Sequence, residues 1–255
     1  MSGAIAPQER LIASVARLIV EKQPIGRLHV AVGMASPVPA AACWLLKKSG
    51  VQIRISLLQR QTGGPFSEGG RELFDLAGQG RIDLFFLGGG EIDGEANINM
   101  VGTGAWPGTE VRFPGSFGSA FMYLVTPRTI LFREEHSRRV LVDRVAHISA
   151  PGRSRPEVVR RGSAQALVTG RCIFRFDGDR FHLASVHPGE TTQSIVENTG
   201  FAFEIPDFVP VTPDPTEAEL ALLRGAVCDE MLTTYPDFCQ RVWGRSPAER
   251  EKTQA

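Results

Sequence analysis

Net charge is the first thing missing. The 255 residues carry 28 Lys and Arg against 28 Asp and Glu. That balance offers no bulk attraction to nucleic acid or to an anionic membrane, so neither is an expected partner. It does suit a protein that hides part of its surface against another chain. The four cysteines, Cys43, Cys172, Cys228 and Cys239, form no CxxC pair. This removes a zinc ribbon or a thioredoxin-type site, and no metal is expected. Cys43, within AAACWLL, reads as a small core residue. The start MSGAIAPQER lacks a basic segment followed by an apolar run, so no signal peptide is expected. No uncharged apolar run approaches the roughly 18 residues that cross a bilayer. The expectation is a soluble, cytoplasmic protein.

The usual phosphate-binding fingerprints are also absent. After Gly88 and Gly89 no GxxxxGK[ST] follows, and Gly88, Gly90 and Asp93 give GxGxxD, which lacks the third glycine of a dinucleotide fold. What stands there instead is LFFLGGGEIDGEANIN, residues 84–99: an apolar run, three glycines, two acids and two asparagines. Ligands of open α/β sheets bind beyond the carboxyl ends of strands, and glycine lets a ligand or another chain come close. Main-chain N–H groups there could receive a phosphate or an extended thioester arm. Equally, the glycines could simply turn a buried strand, and Glu91 and Asp93 could accept N–H groups of a turn rather than form an acid–base pair.

Periodicity places this stretch in a fold. QERLIASVARLIVEK (8–22) has one apolar helical face. LHVAVG (28–33) reads as a strand, Pro37–Lys48 as a helix stopped by Gly50, and VQIRISLL (51–58) as a strand. QTGGPFSEGG is a loop and RELFDLA a short helix broken by Gly78 and Gly80. IDLFFLGG (82–89) is apolar on both faces, as a central parallel strand is. This alternation predicts an α/β protein with an open, largely parallel sheet and flanking helices. Further on, TILF (129–132) and RRVLVDRV (138–145) read as strands. RCIFRFDGDRFHLASV (171–186) is a hairpin turning at Asp177–Gly178, and TTQSIVENTG and PTEAELALLRGAV are helices. The polar stretch from Arg241 is expected to fray. The simplest division is one domain over 1–227 and a partly flexible C-terminal extension over 228–255.

GGGEIDGEANIN resembles the GGAQID…GNVN segment in β subunits of family I CoA-transferases, especially the glutaconate type. LHVAVGMASPVPAA is similar to that family's first strand and glycine turn, and RFPGSFGSA to its second glycine segment. HSRRVLVDRVAHISAPG resembles its H-x-x-R signature ending in PG, and FDGDRFHLASVHPGETTQSIVENTGFAFEIPD its closing hairpin, PG turn and helix. The likeness is collinear over roughly residues 10–225. It implies a CoA-transferase fold, an acyl-CoA substrate, and an α-type partner subunit of the same family, assembled as α2β2. Coenzyme A would enter as part of the substrate, with no resident cofactor. The residues implied to line the CoA or substrate site are Gly88, Gly89, Gly90, Glu91, Asp93, Asn97, Gly115, Ser116 and Gly118.

The family's β subunit carries a nucleophilic glutamate on the strand after the first crossover helix. Here that place falls on Ser56 or Leu57, and no Asp or Glu occurs from Val51 to Ser67. Leucine cannot attack a carbonyl, and a serine ester does not readily return its acyl group to CoA. A branch of the family that opens steroid rings as CoA thioesters has lost the same glutamate. The sequence therefore points to hydrolysis or C–C cleavage as one subunit of a heteromer. The alternatives are a CoA-transferase subunit with a displaced carboxylate, for which Glu68 is the candidate, and a noncatalytic scaffold for the partner. The catalytic residue is otherwise unassigned. His136, Arg138 and Arg139 read either as phosphate or partner contacts or as a solvated turn. His147 reads as a structural strand histidine and His187 as a turn residue, while His29 and His182 receive no role. Asn97 and Asn99 are expected to hold loop backbone.

Overall fold

Pro7 opens the first helix at the position where a missing N–H costs nothing. Leu11, Ile12, Val15, Ala16, Leu18 and Ile19 bury its apolar face. In the computed structural model, which describes residues 4–21, 28–59, 68 and 70–247, the elements then follow in chain order. They are α1 (Pro7–Val20), β1 (Leu28–Val32), α2 (Pro37–Lys48), β2 (Ile53–Leu57), α3 (Gly70–Gly78), β3 (Leu84–Leu87), β4 (Glu91–Ile92) and β5 (Ile98–Asn99). Next come β6 (Gly102–Thr103), β7 (Val111–Arg112), α4 (Ser119–Val125), β8 (Arg128–Arg133), β9 (Ser163–Thr169), β10 (Cys172–Phe176) and β11 (Phe181–Val186). The chain ends with α5 (Thr192–Asn198), α6 (Glu217–Leu222), a π-helical turn (Leu223–Val227), α7 (Cys228–Met231) and α8 (Pro236–Trp243).

The main sheet is mixed and mostly parallel. Its seven strands run in the order β11-β10-β9-β8-β3-β1-β2. Pairs β1–β2, β3–β8 and β8–β9 are parallel, and the β9–β10–β11 end is antiparallel. Every residue of β1 and of β3 is buried, which is why these strands show no polar alternation. The chain forms two compact units, Met1–Leu73 with Pro213–Ala255, and Phe74–Thr212.

In the first unit, α1 is tied to the returning chain by charge. Arg17 donates to the carbonyls of Pro213 and Asp214 and to Glu219. Arg224, in the π-helical turn, donates twice to the buried Glu9 at 2.8 and 2.9 Å. Thr216 caps α6 by accepting from the Glu219 N–H, and the Glu219 carboxylate accepts from the Thr216 N–H. Beyond residue 227 the chain forms α7 and α8, and α8 takes in Arg241–Trp243, where fraying was expected; residues 248–255 lie outside the described residues. Most of the QTGGPFSEGG loop, residues 61–67 and 69, also lies outside them.

In the second unit, the hairpin falls where Asp177–Gly178 predicted it. Gly178 has φ 104°, and the Asp177 carboxylate accepts from the N–H groups of Asp179 and Arg180. The strand expected over 138–145 is a correction. That segment is a series of turns carrying one isolated bridge, Leu141 to Ile92. Its flanking N–H groups are taken by carboxylates: Val145 donates to Asp93 and Ala146 to Glu91. Backbone donors committed to side chains cannot build a ladder. His147 follows and lies outside any strand.

Candidate functional site

The glycine turn at the end of β3 is packed by its own chain. A Cβ on Gly88 would strike the Phe132 carbonyl oxygen of the neighbouring β8. One on Gly89 would strike the Ile98 side chain and the Asn99 carbonyl, and one on Gly90 would fall within the Phe113 ring. None of the three has a positive φ, so they serve close approach rather than unusual backbone. The close neighbour expected of the sequence is thus intramolecular.

The two acids that follow are both buried, Glu91 at 8% and Asp93 at 3% exposure. Asp93 Oδ1 accepts from the N–H groups of Glu95 (3.1 Å) and Asn97 (3.0 Å), while Oδ2 accepts from Asn97 Nδ2 (3.2 Å) and the Val145 N–H (3.3 Å). Glu91 Oε2 accepts from Asn99 Nδ2 (2.7 Å) and the Ala146 N–H (2.9 Å). The two asparagines complete the brace. Asn97 Oδ1 accepts from Gly152 N–H, and Asn99 Oδ1 accepts from the N–H groups of Val101 and Gly102. Carboxylates that accept this many buried donors stabilise the loop cluster. Asn97 and Asn99 hold backbone, as the sequence suggested.

The second glycine segment differs. A Cβ on Gly115 would meet nothing, although its φ of 100° favours glycine. Gly118, φ 73°, sits against the Phe74 ring, and the Ser116 carbonyl accepts from the Ser119 N–H at the start of α4. Phe117, between them, is 68% exposed. Here a face is open.

In the first unit, Ser56 is fully buried and its hydroxyl lies 2.8 Å from His29 Nε2; Leu57 is buried and apolar. His29, left without a role by sequence, is the partner of Ser56, one of the two residues that the resemblance puts at the nucleophile position. Glu68 is the reverse case, an exposed carboxylate 3.0 Å from Arg71.

His136, which sequence left open between a phosphate or partner contact and a solvated turn, and His187, read as a turn residue, are both buried. His136 Nδ1 lies 2.8 Å from Thr169 Oγ1, and its Nε2 lies 3.0 Å from Thr199 Oγ1. Burial foremost, and then the charge of Arg171, push its pKa down from 6.5 to about 4, against the pull of Glu190. His136 is therefore neither a solvated turn nor a free phosphate contact; Arg139 beside it pairs with Glu135. His187 Nε2 lies 3.0 Å from the Thr169 carbonyl and Nδ1 3.0 Å from Thr212 Oγ1. His147 Nε2 bonds the Gly104 carbonyl, which agrees with a structural role. Among the described residues no three His, Cys, Asp or Glu side chains gather as a metal site, and no helix is long and apolar enough to cross a membrane.

Comparison with known proteins places this architecture. A profile of the family described as Coenzyme A transferase matches residues 52–198. The chain is 34% identical over 154 residues to a 3-oxoadipate CoA-transferase subunit of Pseudomonas knackmussii, covering 57% of this chain and 59% of that protein. It is 29% identical over 160 residues to the cholesterol ring-cleaving hydrolase IpdB subunit of Rhodococcus jostii, covering 60% and 62%. The matched part thus spans about three fifths of these relatives' own length. Among solved structures, the decarboxylase AibA/AibB aligns with TM-score 0.75 and 25% identity over 87% of this chain and 94% of that chain.

Proposed function

This chain belongs to the coenzyme A transferase family, and we propose that it is the β-type subunit of a heteromeric enzyme that hydrolyses an acyl-CoA thioester or cleaves a carbon–carbon bond in one. Its partner is an α-type chain of the same family, in an α2β2 assembly, and the chain alone is inactive. Coenzyme A comes and goes with the substrate.

One observation carries the reading. The stretch Val51 to Ser67 has no carboxylate, and the two residues that the family resemblance puts at the nucleophile position are a buried leucine and a serine whose hydroxyl is engaged by His29. CoA transfer needs a carboxylate that forms an acyl anhydride and then holds CoA as a thioester; neither residue can do this. The acids after the glycine turn do not substitute for it, since Glu91 and Asp93 are occupied by N–H donors. Water or a carbon–carbon bond as the target, with the acid–base group supplied by the partner, is consistent with the likeness to a ring-cleaving hydrolase subunit.

A scaffold reading has its own support. Glu91, Asp93 and His187 all make structural bonds, which would leave the partner to do the chemistry.

The test is to co-express the chain with a neighbouring α-type gene and supply acyl-CoA with and without an acceptor acid. Thioester loss or ring opening without acceptor supports the proposal. Ping-pong transfer of CoA to the acceptor overturns it.

A further inference from the structure

Phe117 combines two unfavourable features. Its φ is 38°, a left-handed backbone that a bulky side chain rarely adopts, and the residue is 68% exposed. The turn is held there from both sides. The Gly115 N–H donates to the Met100 carbonyl, and the Ser119 N–H and hydroxyl both donate to the Ser116 carbonyl. Glycine at this position would relieve the backbone, as Gly115 and Gly118 do at φ 100° and 73°. Backbone strain kept at a residue whose ring faces outward points to a contact that the ring makes with something other than this chain.

The ring belongs to an aromatic wall. Phe74 stands 5.8 Å from it between ring centroids, and Phe121 of α4 meets Phe74 edge-on at 6.1 Å. Phe121 is 40% exposed, and Phe74 is half-buried against Gly118. Contacts fix where the segment carrying Phe117 lies. The Phe113 ring packs on Gly90, in the turn that leaves β3, and Phe113 and Gly115 donate their N–H groups to Val101 and Met100, just beyond β5. The segment therefore lies beside the carboxyl end of β3, which is parallel to β8, and ligands of open parallel sheets bind at such ends.

We propose that Phe117 is a specificity-determining residue that receives the acyl group of the thioester, and that this group is a bulky hydrocarbon, ring-bearing or branched, rather than acetyl-sized. The inference rests on the acyl-CoA reading and names the substrate class for it. An acyl-CoA has three parts. The nucleotide carries phosphates, the pantetheine arm carries amides and a hydroxyl, and only the acyl group can be hydrocarbon throughout. Phe74, Phe117 and Phe121 offer neither charge nor a hydrogen bond, so they select by the apolar area they cover. An acetyl group covers a small part of one ring, whereas a six-membered carbocycle covers most of it.

The test titrates the heteromer, assembled with an α-type chain, with cyclohexanecarbonyl-CoA and with acetyl-CoA, and reads the ratio of the two affinities by calorimetry. The wild type should prefer the cyclohexane thioester by at least about tenfold. Phe117→Gly, which suits a φ of 38°, should lose most of that ratio, and Phe117→Leu, which keeps apolar bulk, should retain most of it. Phe208→Ala removes a residue that is 79% exposed on the segment flanking β11, and it should leave the ratio within about twofold. The inference is overturned, with the acyl-CoA reading intact, if both thioesters bind and Phe117→Gly has the wild-type ratio. It is also overturned if Phe117→Gly folds but no longer assembles, because the ring then serves the partner chain. Binding of neither thioester by the wild type overturns both readings together. Should Phe117→Gly fail to fold, Phe121→Ala, which shortens the same wall, decides by the same ratio.

Discussion

Asp93 and Asn97 hold each other at both ends. The Asn97 N–H donates to Asp93 Oδ1 at 3.0 Å, and its side-chain amide donates to Oδ2 at 3.2 Å. The Asp93 N–H returns a bond to the Asn97 carbonyl at 3.2 Å. Between them Ala96 is forced to φ 60° and buried, with its carbonyl accepting from Tyr123. The glycine turn after β3 is braced by this lock. Removing the acid strands several buried donors, so Asp93→Ala should lose about 2–4 kcal/mol of stability. Urea unfolding measures it; a loss below about 0.5 kcal/mol, as for a bare surface change, would show that the lock does not matter.

His136 gives a pH signature. Its folded pKa of about 4 lies below the unfolded 6.5, so its contribution is complete above pH 6.5. As pH falls from there, the unfolded chain takes up a proton that the folded chain refuses, and stability drops until pH reaches the folded value. The drop amounts to about 3 kcal/mol over that window. His136→Gln, which can still bond Thr169 and Thr199, should flatten the wild-type curve between those pH values. Superimposable curves would remove His136 as the cause.

Glu9 titrates in the opposite sense. Burial works to raise its pKa, but the Arg224 hydrogen bonds and charge and the Ala6 N–H leave it lowered below 4.5. Its stabilisation is present above pH 4.5 and is lost as pH falls through the lower folded value. Glu9→Ala should cost about 2–3 kcal/mol at neutral pH, because it removes the buried carboxylate that accepts two Arg224 hydrogen bonds. An equal loss at neutral pH and well below the folded pKa would contradict an electrostatic origin.

The glycines separate by what they touch. Gly89→Ala should destabilise by about 1–3 kcal/mol through collision with Ile98 and the Asn99 carbonyl. Gly108→Ala meets nothing and has no positive φ, so it should stay within about 0.5 kcal/mol. Thermal melts of the two variants make the comparison; equal shifts would mean that Gly89 does not serve close packing.

Glu68 tests the chemistry. It is 55% exposed and its pair with Arg71 is a surface one, so Glu68→Gln should change stability by less than about 0.5 kcal/mol. Turnover of the assembled enzyme should stay within about twofold. A loss on the order of a thousandfold would identify Glu68 as a displaced nucleophile and revive CoA transfer.

The sequence by itself determined the elements whose signals are local. The unbroken apolar run of β3 announces a strand buried on both faces, Pro37 announces a helix start, and Asp177–Gly178 announces a hairpin. Side-chain periodicity and turn chemistry act within a few residues, so they can be read from neighbours alone. The order of motifs also carried the family. Only the tertiary structure decided what the polar residues do. Glu91 and Asp93 find their donors at Ala146 and Val145, more than fifty residues away, and those bonds dissolve the strand expected over 138–145. His136 and His187 look like turn residues until Thr169, Thr199 and Thr212 enclose them. A buried polar group takes whatever partner the fold delivers, and that partner's distance along the chain leaves no periodic trace in the sequence.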